Sequence, residues 1–467
     1  MLASLFVVAC DAPFPDVPLP EPGAPPPPPP LCDLAADNAL RVVCAVPRRD
    51  ATGPIALHLA SDDDGGDVVY PGDGADLDPI LTGYDLLQGT AYAWSVVDRG
   101  VELASGEVRT GYVDPGLIPS TTVTIDGRSS IDRVLLPFGC DGVGALVILD
   151  GEGRIRWYQT FPLGSVTGFD YTDRDTIVAV LGRSRVIEWA LDGTELLDLA
   201  TGNGLERLVH HNVVGQGGRL LVLDTEPEVL SDGQSYLLDG VTEIVGGVGT
   251  HVWDVGAILD PVGLVEPSAV GYWEILFPTA IDFAHENAIE VTHDDTPGEW
   301  IVSLKHLHSV VRIDADGRVR WSLTGTPNPV VFDGPALTLS GVDGVDPTFF
   351  FQHHASLTDE GHLLLVDNGT GRDTDPTRVV ELAIDEQALT ATAIRDWSFG
   401  EACPTQGSAY PLPDGTILAT CARYHDLFEL DAEGIRRQVH LGCQNPLAAG
   451  GNFVRAQPVT LPITRGR

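Results

Sequence analysis

Short apolar runs, many of them alternating with polar residues, recur along most of the chain and are separated by acidic, glycine-containing turns. Runs of this kind predict β-strands rather than helices. A unit of a polar start, a strand, a glycine turn and a second strand returns several times, often followed by a third strand that ends in an acidic turn. Such third strands occur in VILDGEGRIRWY, VIEWALDGTELL, VVRIDADGRVRW and LFELDAEGIRR. Recurrence of one all-β unit predicts a β-propeller, which we expect over residues 120–467.

A propeller usually closes when a strand from one end of its sequence completes a blade that begins at the other end. The segment NFVRAQPVTL, residues 452–461, is strand-like. We expect it to complete a blade that begins at the other end of the propeller.

Residues 36–115 predict a separate, small β-sandwich, because strand-like runs alternate there with acidic, glycine-rich turns. The stretch LLQGTAYAWSV, from Leu86 to Val96, resembles the fibronectin type III signature, in which a tyrosine-containing strand follows a Gly-Thr turn. The turn SDDDGGD could ligate calcium, since hard cations take clustered carboxylates, but such a run is also typical of a solvated turn. We expect this module to act as a spacer.

The N-terminus carries targeting features. Residues 1–10 form a short apolar run that ends in Val-Val-Ala-Cys, the pattern of a bacterial lipobox, which makes Cys10 the expected lipidation site. The run is too short to span a bilayer. Residues 11–35 are rich in proline and predict an extended tether. We therefore expect a lipid-anchored protein in the bacterial periplasm or outer membrane.

Seven cysteines fit an exported protein. With Cys10 acylated, six remain, and their fifteen possible pairings cannot be separated by sequence alone. The pairs Cys32–Cys44 and Cys403–Cys421 are the local choices. No Cys-x-x-Cys spacing exists, so we expect no zinc or other metal site, and we expect no cofactor.

Composition narrows the class of protein and of partner. A chain of 467 residues is too long for one compact core, and 52 glycines with 35 prolines indicate many turns. A formal net charge of −40 argues against a nucleic-acid partner, because phosphate binding needs basic surface. The single lysine, Lys305, follows no GxxxxGK[ST] loop, so the phosphate cradle of a nucleotide-dependent sulfotransferase is missing.

The chemistry concentrates in residues 349–381, where a predicted hairpin carries a histidine pair on its first strand. A hairpin brings its two ends together, so His353 should lie near the glycine-rich loop that delivers Arg372. That geometry would place an imidazole that handles protons beside a guanidinium fork suited to a tetrahedral oxyanion. Similar units begin at His210 and at Ala284.

The segments AHENAIEV, IVSLKH, QHHASLTDEGHLLLVDNGTGR and RVVELAID resemble the bacterial arylsulfate sulfotransferase family. The resemblance implies a six-bladed propeller preceded by a β-domain, and transfer of a sulfuryl group between phenols without a nucleotide sulfate donor. Carried over, the family's histidine-x-asparagine motif falls on His285 and Asn287, its Gln-His motif on His353, and its DNGxGR loop ends at Arg372. The sulfated histidine of the family falls on His425. The resemblance places Lys305 where the family has arginine, and His354 where it has a small or polar residue.

Sulfuryl transfer needs these residue types. A neutral imidazole is a nucleophile whose N-sulfo product is reactive, which suits His425. Cationic donors hold the sulfuryl oxygens, a role for Arg372 and Lys305. An acid must protonate the departing phenolate and a base must take the acceptor's proton, roles for His285 and His353. We expect Asn287, Lys305, His354 and His211 to contact substrate.

The predicted function is transfer of a sulfuryl group from an aryl sulfate to a phenol through a sulfohistidine intermediate. The expected partners are small aryl sulfates and phenols, and a membrane reached through the lipid anchor. One alternative is a non-catalytic propeller lipoprotein that serves as a surface binding or scaffolding module. A second is a quinone-cofactor dehydrogenase, because DGEGRIRW and DADGRVRW resemble the blade repeats of that class.

Overall fold

The structure is a computed structural model that describes residues 29–47, 49, 52–162, 165–262, 273, 275–292, 298–326, 330–370, 377–445 and 453–465. Its regular structure is all-β apart from four single-turn 3₁₀ helices, at Asp62–Asp64, Pro115–Leu117, Val255–Ala257 and Lys305–Leu307. Cys10, most of the predicted tether and Arg372 lie outside these residues. None of the described helices is long and apolar enough to cross a membrane.

The first seven strands lie within residues 31–109. They are β1 (Leu31–Leu34), β2 (Val42–Ala45), β3 (Ile55–Ser61), β4 (Gly66–Pro71), β5 (Ile80–Gly83), β6 (Ala91–Asp98) and β7 (Val101–Arg109).

The next thirteen strands follow without a long helix between them. They are β8 (Pro119–Ile125), β9 (Arg133–Phe138), β10 (Val143–Asp150), β11 (Ile155–Pro162), β12 (Val166–Tyr171), β13 (Thr176–Leu181), β14 (Arg185–Ala190), β15 (Glu195–Thr201), β16 (Gly204–Leu205), β17 (Leu208–Gln216), β18 (Arg219–Val229), β19 (Ser235–Val245) and β20 (Val248–Asp254).

The remaining strands complete the described chain. They are β21 (Ala280–Asp282), β22 (Glu286–Val291), β23 (Trp300–Leu304), β24 (Ser309–Ile313), β25 (Val319–Thr324), β26 (Thr338–Gly341), β27 (His353–Leu357), β28 (Leu363–Asp367), β29 (Arg378–Asp385), β30 (Thr390–Ser398), β31 (Ala409–Pro411), β32 (Ile417–Cys421), β33 (Asp426–Asp431), β34 (Gly434–Cys443), β35 (Gln457–Val459) and β36 (Thr464–Arg465).

The N-terminal strands form two sheets that share one apolar core. The first has the order β1-β2-β5, and the second has the order β36-β4-β3-β6-β7. The structure differs here from the predicted boundaries. Residues 31–34, which were assigned to the tether, form strand β1 and pair with β2. Residues 464–465 form β36 and pair with β4.

Six further sheets of four or five strands follow. Sheet 1 has the order β11-β10-β9-β35, sheet 2 runs from β12 to β16, and sheet 3 runs from β17 to β20 with β21 beside β19. Sheet 4 runs from β22 to β25, sheet 5 has the order β26-β30-β29-β28-β27, and sheet 6 has the order β31-β32-β33-β34-β8.

The strands of these sheets differ in burial according to their place. Strands β23, β28 and β32 are buried at every position, because each lies inside a sheet that packs between two others. Continuous apolar runs are what such strands require, and full burial of each large apolar side chain contributes about 1.5–3 kcal/mol. The later strands β15 and β34 are largely exposed or half-buried.

The first strands of successive sheets contact one another. Strand β12 contacts β17, β17 contacts β22, β22 contacts β27, β27 contacts β31, and β35 contacts β12. The prediction that residues 452–461 pair with a strand near the other end is confirmed, because β35 pairs with β9. Strand β8 pairs with β34 in the same way. The first strands therefore share one central region, and both chain ends contribute strands to close it.

Three disulfides connect the six cysteines after Cys10. The predicted pairs Cys32–Cys44 and Cys403–Cys421 are confirmed. The third bond joins Cys140, at the start of sheet 1, to Cys443, at the end of β34 in sheet 6. Three disulfides are typical of an extracytoplasmic protein.

Candidate active site

Three of the first strands carry a β-bulge at their histidines. A bulge bends the strand and re-aims the side chains beside it. The shifts of register lie between His210 and Val213 in β17, between Glu286 and Ala288 in β22, and between His353 and Ser356 in β27.

Histidines at and beside these bulges have a left-handed backbone. The φ angles of His211, His285 and His354 are +49°, +51° and +52°. A non-glycine residue in this region costs on the order of 1–3 kcal/mol and is most often found at functional sites. The same left-handed conformation thus recurs at a histidine in or just before each of three neighbouring sheets.

A narrow cleft lies where the first strands meet, and we call it the histidine cleft. Segments from all six sheets or the residues just before them line it. The lining residues are Thr167, His211, Asn287, His353, His354, Gln406, Gly407, Val454 and Arg455.

Four imidazoles gather at this cleft: His211, His285, His306 and His353, which we call the histidine cluster. The ring centroids of His211 and His285 are 4.8 Å apart, and those of His285 and His306 are 4.6 Å apart. His353 lines the same cleft as His211.

The hydrogen bonds of His353 fix its tautomer. Its Nδ1 lies 2.6 Å from Oδ1 of Asn368 and 3.2 Å from the carbonyl oxygen of Phe351. The side-chain amide of Asn368 donates to the carbonyl oxygens of Cys403 and Gln406, at 2.6 and 3.0 Å, which leaves its Oδ1 as the acceptor for the ring. Nδ1 of His353 therefore carries the proton, and Nε2 has a free lone pair.

His285 forms a dyad with Asp282. Nδ1 of His285 lies 2.6 Å from Oδ2 of Asp282. Burial and the neighbouring Asp239 raise the pKa of Asp282 well above its usual value, while burial and Lys305 lower the pKa of His285 well below its own. The pair can hold its proton on either partner. With Asp282 ionised, Nε2 of His285 is a base, and with Asp282 protonated, Nε2 carries a proton and is an acid.

The other two rings also carry their proton on Nδ1. Nδ1 of His306 donates to the carbonyl oxygen of Asp282 at 2.8 Å. Nε2 of His210 donates to the carbonyl oxygen of Asp224 at 3.1 Å, so its Nδ1 accepts the proton of Nδ1 of His211, 2.8 Å away. Nδ1 of His211 therefore carries the proton of that ring.

Burial keeps the cluster neutral. Desolvation, followed by the positive charge of Lys305, lowers the pKa of His306 to about 4 and that of His353 to about 3. Desolvation and His210 lower the pKa of His211 well below its usual value. Desolvation also lowers the pKa of Lys305, and Asp282 opposes that shift. The site therefore combines neutral nitrogen bases with one ammonium group near them.

A second, larger cavity of about 520 Å³ shares His354 and Arg455 with the histidine cleft, and we call it the acidic cavity. Four carboxylates and two tyrosines are prominent in its lining: Asp170, Asp173, Glu290, Asp359, Tyr171 and Tyr410. The ring of His354 lies 4.2 Å from that of Tyr410. His354 and Arg455 thus separate a histidine-lined space from a carboxylate-lined one.

Most of the residues predicted for the site come together. His211, Asn287, His353 and His354 line the histidine cleft, and His285 belongs to the histidine cluster. The backbone N–H of Lys305 donates to the carbonyl oxygen of His285 at 3.2 Å, which places the lysine beside the cluster.

His425 lies apart from the other predicted residues. It sits before β33, its ring is 5.8 Å from that of Phe453, and burial, then His440, lowers its pKa. Within the described part of the chain, no hydrogen bond or ring contact joins His425 to the histidine cluster. Its predicted role as the sulfated residue stays a prediction, as does the role of Arg372, which is outside the described residues.

Sequence reasoning missed four functional candidates. His306 was assigned to structure, although it directly follows Lys305 in the sequence. Asn368 belongs to the DNG turn that follows β28, and only the pairing of β27 with β28 reveals that it meets His353. Asp282 and Arg455 were not selected as site residues from the sequence.

One group at this site could hold a metal ion. Asp282, His285 and His306 each offer a ligand atom, and these atoms lie within 4.8 Å of one another. Glu401, Cys403 and Cys421 form a second such group, but their two sulfurs are already bonded to each other.

The sequence of this chain is similar to that of one protein family and of a curated relative. The arylsulfotransferase (ASST) profile matches residues 139–430. The arylsulfate sulfotransferase AssT of Lelliottia amnigena is 26% identical over 318 residues, which is 54% of this chain and 52% of that protein. The chain thus matches about half the length of this curated relative.

Two solved structures share some of the architecture. A Bacteroides caccae protein of unknown function is 14% identical, with a TM-score of 0.40, over 70% of this chain and 99% of its own. A virginiamycin B lyase of Staphylococcus aureus is 8% identical, with a TM-score of 0.34, over 70% of this chain and 90% of its own. We base no argument on likenesses this low. Because the ASST match extends over more than half of the residues, the chain belongs to the arylsulfotransferase family.

Proposed function

We propose that this protein transfers a sulfuryl group from an aryl sulfate to a phenol, through a sulfohistidine formed in the histidine cleft. Family membership supports the reaction class. The observation that carries the proposal is the 2.6 Å contact between Nδ1 of His353 and Oδ1 of Asn368, which leaves the lone pair of the neutral ring on Nε2.

The nucleophile is best placed at His353. Its proton is held on Nδ1, burial lowers its pKa to about 3 and keeps the ring neutral at physiological pH, and it lines the cleft together with His211. The family resemblance assigned this role to His425, whose described contacts lie elsewhere. The geometry therefore favours His353, and the experiment below compares the two residues directly.

The His285–Asp282 dyad supplies both proton transfers. In the first step Nε2 of His353 attacks sulfur, the N–S bond forms, the S–O bond to the aryl group breaks, and the departing phenolate takes the dyad's proton. In the second step the dyad takes the proton of the acceptor phenol, whose oxygen attacks sulfur as the N–S bond breaks. Positioned acid–base groups of this kind contribute about 10²–10⁴-fold each.

Cations must hold the sulfuryl oxygens throughout. Lys305 lies beside the cluster. Its ammonium is compact enough to contact both the phenolate oxygen and the sulfuryl oxygens during transfer. We retain Arg372 as a second candidate for this role, together with substrate contacts from Asn287, His354 and His211. No metal is needed for these steps.

The setting of the enzyme is part of the proposal. We propose that sheets 1 to 6 are the blades of a six-bladed propeller, that residues 36–115 form the spacer module, and that Cys10 anchors the chain to a membrane through lipid. The three disulfides support an extracytoplasmic location.

The test is release of 4-nitrophenolate from 4-nitrophenyl sulfate in the presence and absence of phenol. We expect release that depends on phenol, and a product that carries the sulfuryl group. His353→Ala should abolish release, and His425→Ala should retain it. Mass spectrometry of enzyme quenched without acceptor should locate one sulfuryl group on the peptide containing His353.

The results distinguish His353 from His425 as the nucleophile, and an enzyme from a non-catalytic binding module. Loss of release in His425→Ala with retention in His353→Ala would restore His425 as the nucleophile. No release with any of a series of aryl sulfates would favour the non-catalytic binding module instead. His362→Ala, a histidine outside the cleft that pairs with Glu381, is the matched control.

A further inference from the structure

Arg455 differs from every other arginine buried in the described part of the chain. Seven arginines there are at least nine-tenths buried. Six of them have a carboxylate partner within 3.0 Å, in the pairs Arg41–Asp37, Arg49–Asp98, Arg133–Asp85, Arg156–Asp64, Arg312–Glu299 and Arg378–Asp367. Arg455 is 6% exposed, and no described carboxylate lies within ion-pair distance of it.

The guanidinium of Arg455 is only partly satisfied. Nη2 donates to the carbonyl oxygen of Phe169, and the group lies 4.8 Å from the centroid of the Phe169 ring. Its Nε is buried and has no hydrogen-bond partner among the described residues. An unpaired buried cation costs several kcal/mol, and a bound anion would offset that cost.

Asp170 lines the acidic cavity together with Arg455 but forms no described ion pair with it. Asp170 accepts the backbone N–H of Gly215 at 2.9 Å and the amide of Gln457 at 2.8 Å. Burial raises the pKa of Asp170 to about 7, which leaves much of it protonated near neutrality. Both carboxylate oxygens of Asp170 are thus engaged by other donors, and Arg455 keeps hydrogen-bonding capacity for a bound anion.

The position of Arg455 is set by backbone contacts on both sides. The carbonyl oxygen of Val454 accepts the N–H of Gly407 at 3.1 Å, and the N–H of Ala456 donates to Oγ of Ser408 at 3.2 Å. Arg455 lines the same cleft as His211 and His353. A fixed guanidinium fork beside neutral imidazoles matches the planar, bidentate recognition of sulfate oxygens.

We infer that Arg455 is an anion-binding residue that holds a tetrahedral oxyanion, the sulfuryl group of an aryl sulfate, on the floor of the histidine cleft. This inference rests on the proposed function for the identity of the ligand. Binding of the anion itself can occur without turnover, so the two ideas can fail separately.

The test measures binding by calorimetry with three probes: phenyl sulfate, inorganic sulfate and phenol. We expect Arg455→Gln to bind phenyl sulfate at least tenfold more weakly than the wild type, with phenol binding unchanged. Arg455→Lys, which keeps a charge but loses the fork, should fall between them. Arg128→Gln, which removes an exposed arginine, is the control and should bind all three as the wild type does. Inorganic sulfate separates recognition of the oxyanion alone from recognition of the aryl ester.

The melting temperature of Arg455→Gln distinguishes a binding role of Arg455 from a structural one. Arg455→Gln removes a buried charge that lacks a carboxylate partner, so its melting temperature should equal or exceed that of the wild type. Undiminished phenyl sulfate binding in Arg455→Gln, or no binding of phenyl sulfate by the wild type, would overturn the inference. A variant that unfolds or melts markedly lower would assign Arg455 a structural role and would overturn it as well. Turnover with an unchanged KM in Arg455→Gln would reject this inference and leave the proposed function standing.

Discussion

Nδ1 of His353 lies 2.6 Å from Oδ1 of Asn368, whose amide nitrogen donates to two backbone carbonyls. An asparagine can accept from the ring and donate to both carbonyls at once, and an aspartate cannot. Asn368 is therefore a positioning residue that keeps the proton of His353 on Nδ1 and the lone pair on Nε2.

Asn368→Ala should lower kcat/KM for aryl sulfate by about 10²-fold, because the lone pair of His353 is no longer confined to Nε2. Asn368→Asp should also be impaired, and its carboxylate should raise the pKa of His353 from about 3. The acid limb of the pH profile of kcat/KM should then move to higher pH in Asn368→Asp alone. Asn203→Ala, an exposed asparagine, serves as the control. A uniform loss in both variants with no shift of the acid limb would mean that Asn368 acts only on the fold.

Local sequence signals predicted a good part of this arrangement. Alternating apolar residues located strands, and short separations along the chain suggested Cys32–Cys44 and Cys403–Cys421 correctly. The resemblance also selected His285 and His353, which share the cleft region. Each of these inferences depends on residues within one hairpin or one motif.

Local sequence signals could not predict the contacts between strands across the central region. Strand patterns show which face of a strand is apolar, and they do not show which first strands meet or where a bulge re-aims a side chain. Arg455 comes about a hundred residues after His353, and only the closing strand β35 brings it to the cleft. His306 lies in the 3₁₀ turn Lys305–Leu307, and only its contact with the carbonyl of Asp282, at the end of β21, reveals its orientation.

The buried imidazoles predict a loss of stability in mild acid. The pKa of His306 in the folded state is about 4, below its usual value, because burial disfavours the charged ring. Between about pH 6.5 and 4 the unfolded chain binds a proton that the folded chain does not, so the free energy of unfolding falls as the pH falls. Each such histidine contributes about 1.4 kcal/mol per pH unit within its window.

His306→Gln should therefore show a shallower decline than the wild type when urea unfolding is measured from pH 6.5 to pH 4.5. The stability of the variant relative to that of the wild type should rise as the pH falls, whatever their offset at pH 7. Parallel curves would show that His306 is not held neutral in the folded protein.

Glu286 should lower the free energy of unfolding as the pH rises, which is opposite to the pH dependence expected for His306. It is fully buried, neither of its carboxylate oxygens has a hydrogen-bond partner among the described residues, and burial followed by Asp239 raises its pKa well above the usual value. The folded state then holds a proton that the unfolded state releases above about pH 4.5, so this residue costs stability as the pH rises.

Glu286→Gln should be more stable than the wild type at pH 8 by about 1–3 kcal/mol, because the amide carries no charge to desolvate. The advantage should shrink at pH 5, as measured by urea unfolding at both values. Glu195→Gln, an exposed position, should show neither effect. An advantage that is the same at both pH values would assign the effect to packing instead of titration.

The disulfide between Cys140 and Cys443 should contribute more stability than the one between Cys403 and Cys421. The first closes a sequence separation of 303 residues and the second a separation of 18, so the first removes more conformational freedom from the unfolded chain. Replacing both cysteines of each pair with serine should cost the Cys140–Cys443 variant about 2–3 kcal/mol more, measured by urea unfolding under oxidising conditions. The first bond also ties sheet 1 to sheet 6, the two sheets that contain β35 and β8. Equal losses in the two variants would indicate that the unfolded chain stays compact enough to hide the difference in loop length.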